Sequence, residues 1–140
     1  MDNKTLIKAG KNEKLLVNTI VYAISCRSAK ILGPQCIKSG TKTYLGYVDD
    51  FIFIIEEDKN TQPLKDKTAN LFLEPAYQIG ISLVKGNSAK FAFQKSQQLF
   101  KKNISKLMTS ATSPEEKDLL PYLFWNLQNQ VCLGDKYAII

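Results

Sequence analysis

The sequence predicts a single α/β domain, a layer sandwich in which helices flank a largely parallel sheet. Three observations predict this class. A β-branched apolar run near the N-terminus is typical of a buried strand, the second half carries apolar residues at helical spacing, and helix patterns separate the strand patterns. The 140 residues suffice for one domain with a hydrophobic core of its own.

The first half predicts strands on either side of a short helix. The run KLLVNTIVYAI is apolar and β-branched, which favours a buried strand over a helix. A glycine after the helix pattern marks the end of that helix. In chain order we expect a strand from Lys14 to Ile24, a helix from Ala29 to Lys38, and strand segments from Tyr44 to Val48 and from Phe51 to Ile55 on either side of a bend at Asp49 and Asp50.

The second half predicts three helices and a closing strand. Acidic and polar residues from Glu56 to Gln62 form the predicted loop that leads into them. A serine cap and a Ser-Pro-Glu-Glu capping box mark two helix starts. We expect helices from Leu64 to Val84, from Ser88 through Met108, and from Ser113 to about Asn129, followed by closing strand segments from Val131 to Leu133 and from Tyr137 to Ile140 around Gly134 and Asp135.

Composition and charge narrow the function classes. The net charge of +6 suggests nucleic acid, but Arg27 is the only arginine among 19 basic residues and the lysines are scattered, which argues against a nucleic-acid partner. No apolar run is long enough to cross a bilayer, so we expect no membrane association. The three cysteines fit neither a disulfide framework nor a zinc motif, which favours a reducing, cytoplasmic location without metal or cofactor.

The stretch YLGYVDDFI places Asp49 and Asp50 between two apolar runs. Tyr-x-Asp-Asp is the pattern by which polymerase palms hold catalytic magnesium, so a polymerase palm fragment is one hypothesis. Two metal ions need carboxylates from two strands, and the acidic residues before Asp49, which are Asp2 and Glu13, lie outside strand-like stretches. A solvated bend between two strand segments is the simpler interpretation of the aspartate pair.

Three segments together resemble a known family. They are TIVYAISCRSAKILG, in which a buried strand delivers Cys26 to a small-residue loop and a helix, then SGTKTYLGY, a glycine turn that feeds a strand, and the closing QVCLGDKYAII. In this order they resemble the C-terminal, nucleophile-bearing half of caspase-like cysteine peptidases, especially the CHAT and gingipain-like branches. The caspase signature Gln-Ala-Cys-Arg-Gly is met in part, by Ile24-Ser25-Cys26-Arg27-Ser28, while Thr41 and Lys136 stand where the family usually has alanine and proline.

The resemblance implies a caspase-like layer sandwich that is partial, because it lacks the strands that carry the family's histidine. It implies that Cys26 attacks a peptide carbonyl, that a histidine on a preceding strand is the base, and that the loop after the cysteine offers backbone N–H groups to the thiolate and the oxyanion. Because the sequence contains no histidine, we expect a second polypeptide to supply it, in a hetero-oligomer that acts on protein or peptide substrates. A subunit of a split or processed enzyme, a fragment, and a member that has lost catalysis all fit this pattern.

Asp49, Asp50 and Arg27 are the predicted substrate-binding residues. In basic-specific relatives of this family, acidic residues near the upper edge of the sheet bind a substrate lysine or arginine, and one of the two aspartates is a candidate for that role. Arg27 is either a substrate-loop contact or a solvent-facing neighbour. The resemblance also implies roles such as bacterial defence or regulated self-cleavage. The alternative within the same fold is a noncatalytic regulatory or binding module.

The residues alone also permit simpler interpretations. A cysteine after an apolar strand is usually an inert buried thiol, so Cys26 is a candidate nucleophile only through the resemblance. Cys36 and Cys132 are predicted core residues. Asp135 is a predicted turn residue that hydrogen-bonds its own backbone, and Trp125 is either a partner contact or a half-buried surface side chain.

Overall fold

The structure is a computed structural model that describes residues 5–56 and 65–140. Within these residues the sheet has three strands in the order β1-β2-β3. Strand β1 is Ile20–Tyr22, β2 is Thr43–Tyr47 and β3 is Gln130–Gly134. β1 runs parallel to β2, whereas β3 runs antiparallel to it. The predicted α/β class is confirmed, but the expectation of a largely parallel sheet is wrong for β3.

Helices cover both faces of this sheet. In the described part of the chain they are α1 (Leu32–Lys38), α2 (Lys67–Val84), α3 (Ala89–Leu107), α4 (Pro114–Lys117) and α5 (Leu120–Asn129). Successive residues of a strand point to opposite faces. Tyr44 of β2 therefore packs in the cluster that includes α1, while Leu45 and Tyr47 pack against α2, α3 and α5. β2 is buried along its whole length because it has strands on both sides and helices on both faces.

The direction of β3 follows from where the chain enters the sheet. Helix α5 passes directly into β3, and the carbonyl oxygen of its last residue, Asn129, accepts a hydrogen bond from the Val48 amide at 2.9 Å. This contact places Gln130 opposite Tyr47, at the carboxyl end of β2. A strand that starts there pairs with β2 by running back along it, which makes the pair antiparallel.

The strand predicted from Lys14 to Ile24 is shorter than expected. Glu13–Leu16 forms a 3-10 helix, and only Ile20–Tyr22 pairs as a strand. Asn18 separates the two with a φ of 61°, a left-handed conformation that asparagine tolerates better than most residues. The chain therefore turns at Asn18 before it becomes extended.

Helix α2 continues through Pro75, which lacks the N–H that would donate to the Leu71 carbonyl oxygen. The Asn103 side chain of α3 donates to that carbonyl oxygen instead, with Nδ2 at 2.8 Å. Ser96, also on α3, donates to the Pro75 carbonyl oxygen at 2.7 Å. Two buried polar side chains of α3 thus bind the α2 main chain around the proline and fix how the two helices pack.

The helix predictions for the second half are confirmed with one adjustment. Ser88 caps α3, and Ser113 forms the predicted capping box with Glu116. The helix predicted from Ser113 to Asn129 is divided into α4 and α5. Pro121 in the first turn of α5 has no N–H, so the hydrogen-bond ladder of α4 cannot continue across it.

The segment after β3 turns instead of forming a second strand, so the expectation for Tyr137 to Ile140 is wrong. Gly134 has a φ of 83°, and the Asp135 carboxylate accepts a hydrogen bond from the Tyr137 amide at 2.9 Å, which confirms Asp135 as a turn residue. The Asp135 amide donates to the Lys42 carbonyl oxygen at 2.8 Å. The carbonyl groups of Lys136 and Ala138 accept hydrogen bonds from the first two N–H groups of α3, so they are not available for a sheet.

Two predictions fall at least in part on undescribed residues: the polar loop from Glu56 to Gln62 and the helix start at Leu64. Among the residues that are described, no helix is both long and apolar enough to span a membrane.

Candidate functional site

Cys26 lies just beyond the carboxyl end of β1, in a run of turns that leads to α1. Pairing with β2 continues one residue past the strand, because the Ala23 amide donates to the Leu45 carbonyl oxygen at 3.0 Å. The chain then leaves the sheet and exposes the Cys26 side chain. The Cys26 thiol lies 3.8 Å from the Phe51 carbonyl oxygen, within reach of a weak S–H hydrogen bond. The expectation of a buried thiol is therefore wrong for Cys26.

The other two cysteines differ from Cys26 in exposure. Cys36 on α1 is buried, as predicted, and burial raises the pKa of its thiol. Cys132 lies in the predicted closing strand but is only partly buried, and its burial also raises its pKa. Because a thiolate is the reactive form of cysteine, both environments disfavour reactivity at neutral pH. Cys26 is thus the accessible thiol of the three.

Arg27, Asp49 and Asp50 form one ionic cluster beside Cys26. The Arg27 guanidinium donates from Nε to Asp49 at 3.2 Å and from Nη2 to Asp50 at 3.1 Å. The cluster is open to water, since the Arg27 side chain is 59% exposed. The structure brings the three predicted substrate-binding residues together, but as partners of one another. Arg27 faces solvent, as one of its two predicted interpretations had it, and it is paired with both aspartates.

The contacts within this cluster shift the pKa values of Asp49 and Arg27. The Asp50 amide, which donates to the Asp49 carboxylate at 2.9 Å, and then the Arg27 side chain lower the pKa of Asp49 below its ordinary value. Asp50 and Asp49 in turn raise the pKa of Arg27. Both carboxylates bond to Arg27, whose single positive charge offsets one of their two negative charges, so a basic substrate side chain would have to compete with Arg27 for them.

Four backbone N–H groups of the loop after Cys26, which were expected to be free, are hydrogen-bonded within the chain. The Arg27 amide donates to the Asp49 carbonyl oxygen at 3.1 Å, and the Ala29 amide donates to the Tyr47 carbonyl oxygen at 2.9 Å. The amides of Ser28 and Lys30 bond to carbonyl groups of the same loop. These bonds dock the loop onto the end of β2, which holds Cys26 in place but occupies the predicted oxyanion donors.

The segment from Asp49 to Ile52 is held from its other side by α5. Trp125 donates from Nε1 to the Asp50 carbonyl oxygen at 2.8 Å. Asn126 accepts from the Ile52 amide at 2.9 Å and donates to the Ile52 carbonyl oxygen at 2.5 Å. The expected strand from Phe51 to Ile55 does not form, because these side chains and Cys26 take the hydrogen bonds that a neighbouring strand would have made.

The roles of Trp125 and Asn126 were not predicted, although the sequence carries a signal for one of them. Asn126 lies seven residues after Leu119 and three after Leu123, on the apolar stripe of α5, and is fully buried. A buried amide needs hydrogen-bond partners. The buried position of Asn126 therefore predicts a hydrogen-bonded contact for its side chain. The helical spacing of the apolar residues does not indicate which segment provides the partner. Trp125 is half-exposed, as one of its two predicted interpretations had it.

An apolar cleft of about 510 Å³ opens beside the thiol. Its wall consists mainly of large apolar side chains, two of them from the segment held by α5 and two from α2. The lining residues are Ile24, Ser25, Cys26, Phe51, Phe53, Leu73 and Tyr77. A concave site lined mainly by large apolar side chains, with a few polar groups in its wall, is typical of ligand binding.

The described residues contain no base for this thiol that resembles the family's. The whole sequence lacks histidine. In residues 5–56 and 65–140, no three cysteine, aspartate or glutamate side chains cluster closely enough to hold a metal ion. The aspartate pair that suggested a polymerase palm bonds to Arg27 instead.

The chain was compared with models of known protein families, with curated proteins and with solved structures, and no significant match was found in any of the three. The resemblance to caspase-like peptidases therefore depends on the three sequence segments alone, and the geometry around Cys26 is an independent observation.

Proposed function

We propose that this chain is the nucleophile-bearing half of a caspase-like cysteine endopeptidase, in which a second polypeptide supplies the catalytic histidine. The observation that carries the proposal is the position of Cys26, whose exposed thiol lies at the carboxyl end of β1 in the wall of an apolar cleft. In open α/β sheets, functional groups gather beyond the carboxyl ends of the strands. A free cysteine without a functional role is usually buried, which Cys26 is not.

The free edge of β1 is the proposed docking place for the second polypeptide. Among the described residues, β1 pairs with β2 on one side and with no strand on the other. Apolar side chains of α2 are left exposed, with Tyr77 at 53%, Ile81 at 47% and Val84 at 84%. An apolar groove of about 400 Å³ flanks the opposite face of β1 and includes Val21 and Ala23.

This combination favours a partner that extends the sheet. A free strand edge with exposed apolar surface on both faces promotes association with another chain. Soluble proteins normally cover such an edge. A partner strand that runs parallel to β1 ends beside Cys26, since the carboxyl ends of parallel strands meet at one edge of a sheet. A histidine at the end of that strand would then lie next to the thiol.

The proposed reaction is peptide hydrolysis through a thioester on Cys26, with the partner's imidazole as the base that accepts and returns the proton. The imidazole takes the thiol proton, and the Cys26 sulfur attacks the peptide carbonyl carbon. The carbon–nitrogen bond then breaks, and the leaving amine takes the proton from the imidazolium. Water, deprotonated by the same imidazole, attacks the thioester, which breaks the carbon–sulfur bond and releases the acid and the free thiol.

We assign Arg27, Asp49 and Asp50 a positioning role in this site. Two ionic contacts of the Arg27 side chain connect the Cys26 loop to the segment after β2. The backbone N–H of Arg27 adds a hydrogen bond to the carbonyl oxygen of Asp49. Since the four amides from Arg27 to Lys30 are engaged, the oxyanion donors in this proposal come from the partner polypeptide.

An activity-based probe tests the proposal in cells of the source organism. Peptidyl acyloxymethyl ketones label activated cysteine nucleophiles and react slowly with ordinary thiols. We expect labelling of the native chain and of a Cys132→Ala variant, no labelling of Cys26→Ala, and no labelling of the purified chain without its partner. Labelling that persists in Cys26→Ala, or no labelling of the native chain in cells, contradicts the peptidase.

One observation favours a noncatalytic binding module as the second candidate. The N–H groups of Arg27 to Lys30 are hydrogen-bonded within the chain, and both aspartates are paired with Arg27, so these polar groups serve the fold and are not free for catalysis. In that case the cleft and the β1 edge bind a partner without cleavage. The probe experiment separates the two candidates, because a binding module leaves Cys26 unlabelled in cells.

Cytoplasmic location and a defence role stay predictions.

A further inference from the structure

We infer, on the basis of the proposed function, that the cleft beside Cys26 receives a large apolar side chain from the substrate residue whose carbonyl the thiol attacks. The sequence alone suggested a basic side chain, bound by Asp49 or Asp50. The structure assigns the opposite chemistry to the space next to the sulfur.

The lining of the cleft carries this inference. Five of its side chains are the large apolar residues Ile24, Phe51, Phe53, Leu73 and Tyr77, and the polar contribution comes from Ser25 and Cys26. Within residues 5–56 and 65–140, no lysine, arginine, aspartate or glutamate lines it. An ammonium or carboxylate placed in such a site loses its hydration and gains no partner, whereas an apolar side chain is stabilised there.

The state of the acidic pair supports the same conclusion. Asp49 and Asp50 are not among the residues that line the cleft, and both carboxylates bond to Arg27. A basic substrate side chain would have to displace Arg27 from two ionic contacts and would still lie outside the cleft. The negative charge that the basic-specific hypothesis needs is therefore shared with Arg27 and lies outside the cleft.

The exposure of the lining residues is a second indication. Phe53 is 49% exposed and Tyr77 is 53% exposed, and both border the same opening as the thiol. Large aromatic side chains left accessible around a concave site are typical of a binding surface. At about 510 Å³ the cleft falls in the volume range of small ligand sites, which gives room for a bulky side chain.

Two peptidyl chloromethyl ketones test the inference on the purified chain. They differ only in the residue next to the ketone, which is leucine in one and lysine in the other. The Cys26 sulfur displaces chloride from either reagent, so a carbon–sulfur bond forms, the carbon–chlorine bond breaks and the thiol proton passes to solvent. Mass spectrometry of Cys26 peptides gives the two rates, and chloroacetamide, which has no side chain, gives the intrinsic reactivity of the thiol for normalisation.

We expect the leucine reagent to alkylate Cys26 about tenfold faster than the lysine reagent, the lower end of what one apolar pocket discriminates. Tyr77→Glu places a carboxylate in the cleft and is expected to bring the ratio to about one or below, since lysine then has a partner. The matched control Val84→Glu adds the same charge to an exposed position of α2 that does not line the cleft, and should leave the ratio unchanged.

Equal normalised rates in the native chain, faster reaction with the lysine reagent, or a ratio that Tyr77→Glu does not change would overturn the apolar assignment. The ratio of the two alkylation rates is measured independently of the activity-based probe experiment in cells. A leucine preference without probe labelling in cells contradicts the peptidase and retains the apolar cleft. Probe labelling without a leucine preference supports the peptidase and contradicts the apolar specificity.

Discussion

The Asn126 side chain holds the main chain of Ile52 at both its amide and its carbonyl group. This pair of hydrogen bonds copies the contact that a neighbouring strand would make, and it replaces the strand expected from Phe51 to Ile55. Since the Phe51 carbonyl oxygen lies next to the Cys26 sulfur, Asn126 also positions one wall of the candidate site.

Removal of the Asn126 amide is expected to destabilise the protein strongly. Asn126→Ala leaves the partly buried N–H and C=O of Ile52 without these partners, and each such loss costs about 1–3 kcal/mol when the group cannot reach water. We expect the free energy of unfolding, measured by urea denaturation, to fall by about 3 kcal/mol. Asn129→Ala is the matched control, because that amide makes one bond, to the Trp125 carbonyl oxygen on the same helix, and should cost less than about 1 kcal/mol. Similar losses for the two variants would contradict this account.

The contact between Asn103 and the α2 main chain predicts a coupling with Pro75. In the native chain Asn103→Ala leaves the Leu71 carbonyl oxygen unpaired, so we expect a loss of about 2 kcal/mol. In a Pro75→Ala background the helix regains an N–H that donates to this oxygen, and the same substitution should cost less, with a coupling of about 1 kcal/mol. A double-mutant cycle by chemical denaturation measures it, and additive losses would argue against the proposed compensation.

The backbone at Arg27 predicts an unusual benefit from glycine. Arg27 has a φ of 56°, a left-handed conformation that costs residues with a Cβ about 1–2 kcal/mol. Arg27→Gly and Arg27→Ala both remove the ionic contacts, but only glycine relieves the backbone, so the glycine variant should be more stable by about 1 kcal/mol. The same two substitutions at Lys30, which has no left-handed φ, should favour alanine. If alanine is also better at position 27, the loop geometry described here is wrong.

The lowered pKa of Asp49 predicts how this site responds to acid. The Asp50 amide and Arg27 stabilise the charged carboxylate in the folded state, so its pKa lies below the ordinary value of 3.8. Its contribution to stability is present in full above the unfolded pKa and is lost as the pH falls through the folded pKa. The stability difference between native protein and Asp49→Asn should therefore be constant near neutral pH and shrink below about pH 4. Thermal unfolding across this range measures it, and a difference that grows on acidification would contradict the shift.

Local patterns predicted much of the fold because single residues determine several element ends. Ser88 and the Ser113 capping box begin helices where expected, and β2 lies where its apolar run predicted. The direction of β3 was not predictable, because it depends on a contact between α5 and the end of β2. Strand periodicity also predicted pairing for Phe51 to Ile55, where side chains of α5 bind the main chain instead.

The candidate site shows the same division. The sequence placed Cys26 after a strand, next to a loop and beside the aspartate pair, and all three lie together in the structure. It did not indicate that Arg27 folds back onto both aspartates, because a left-handed backbone at an arginine has no sequence signal. It also did not indicate the apolar cleft, whose walls come from three separated segments of the chain.

The alkylation rates of the three cysteines in the purified, folded chain test the central claim most directly. Isotope-coded iodoacetamide at neutral pH, followed by mass spectrometry of each cysteine peptide, gives the three rates in one experiment. We predict that Cys26 reacts about tenfold or more faster than Cys132, while Cys36 reacts only after unfolding, since thiol reactivity follows exposure and thiolate character. A Cys26 that is protected like Cys36, or that reacts no faster than Cys132, would contradict the account of an accessible sulfur at the end of β1.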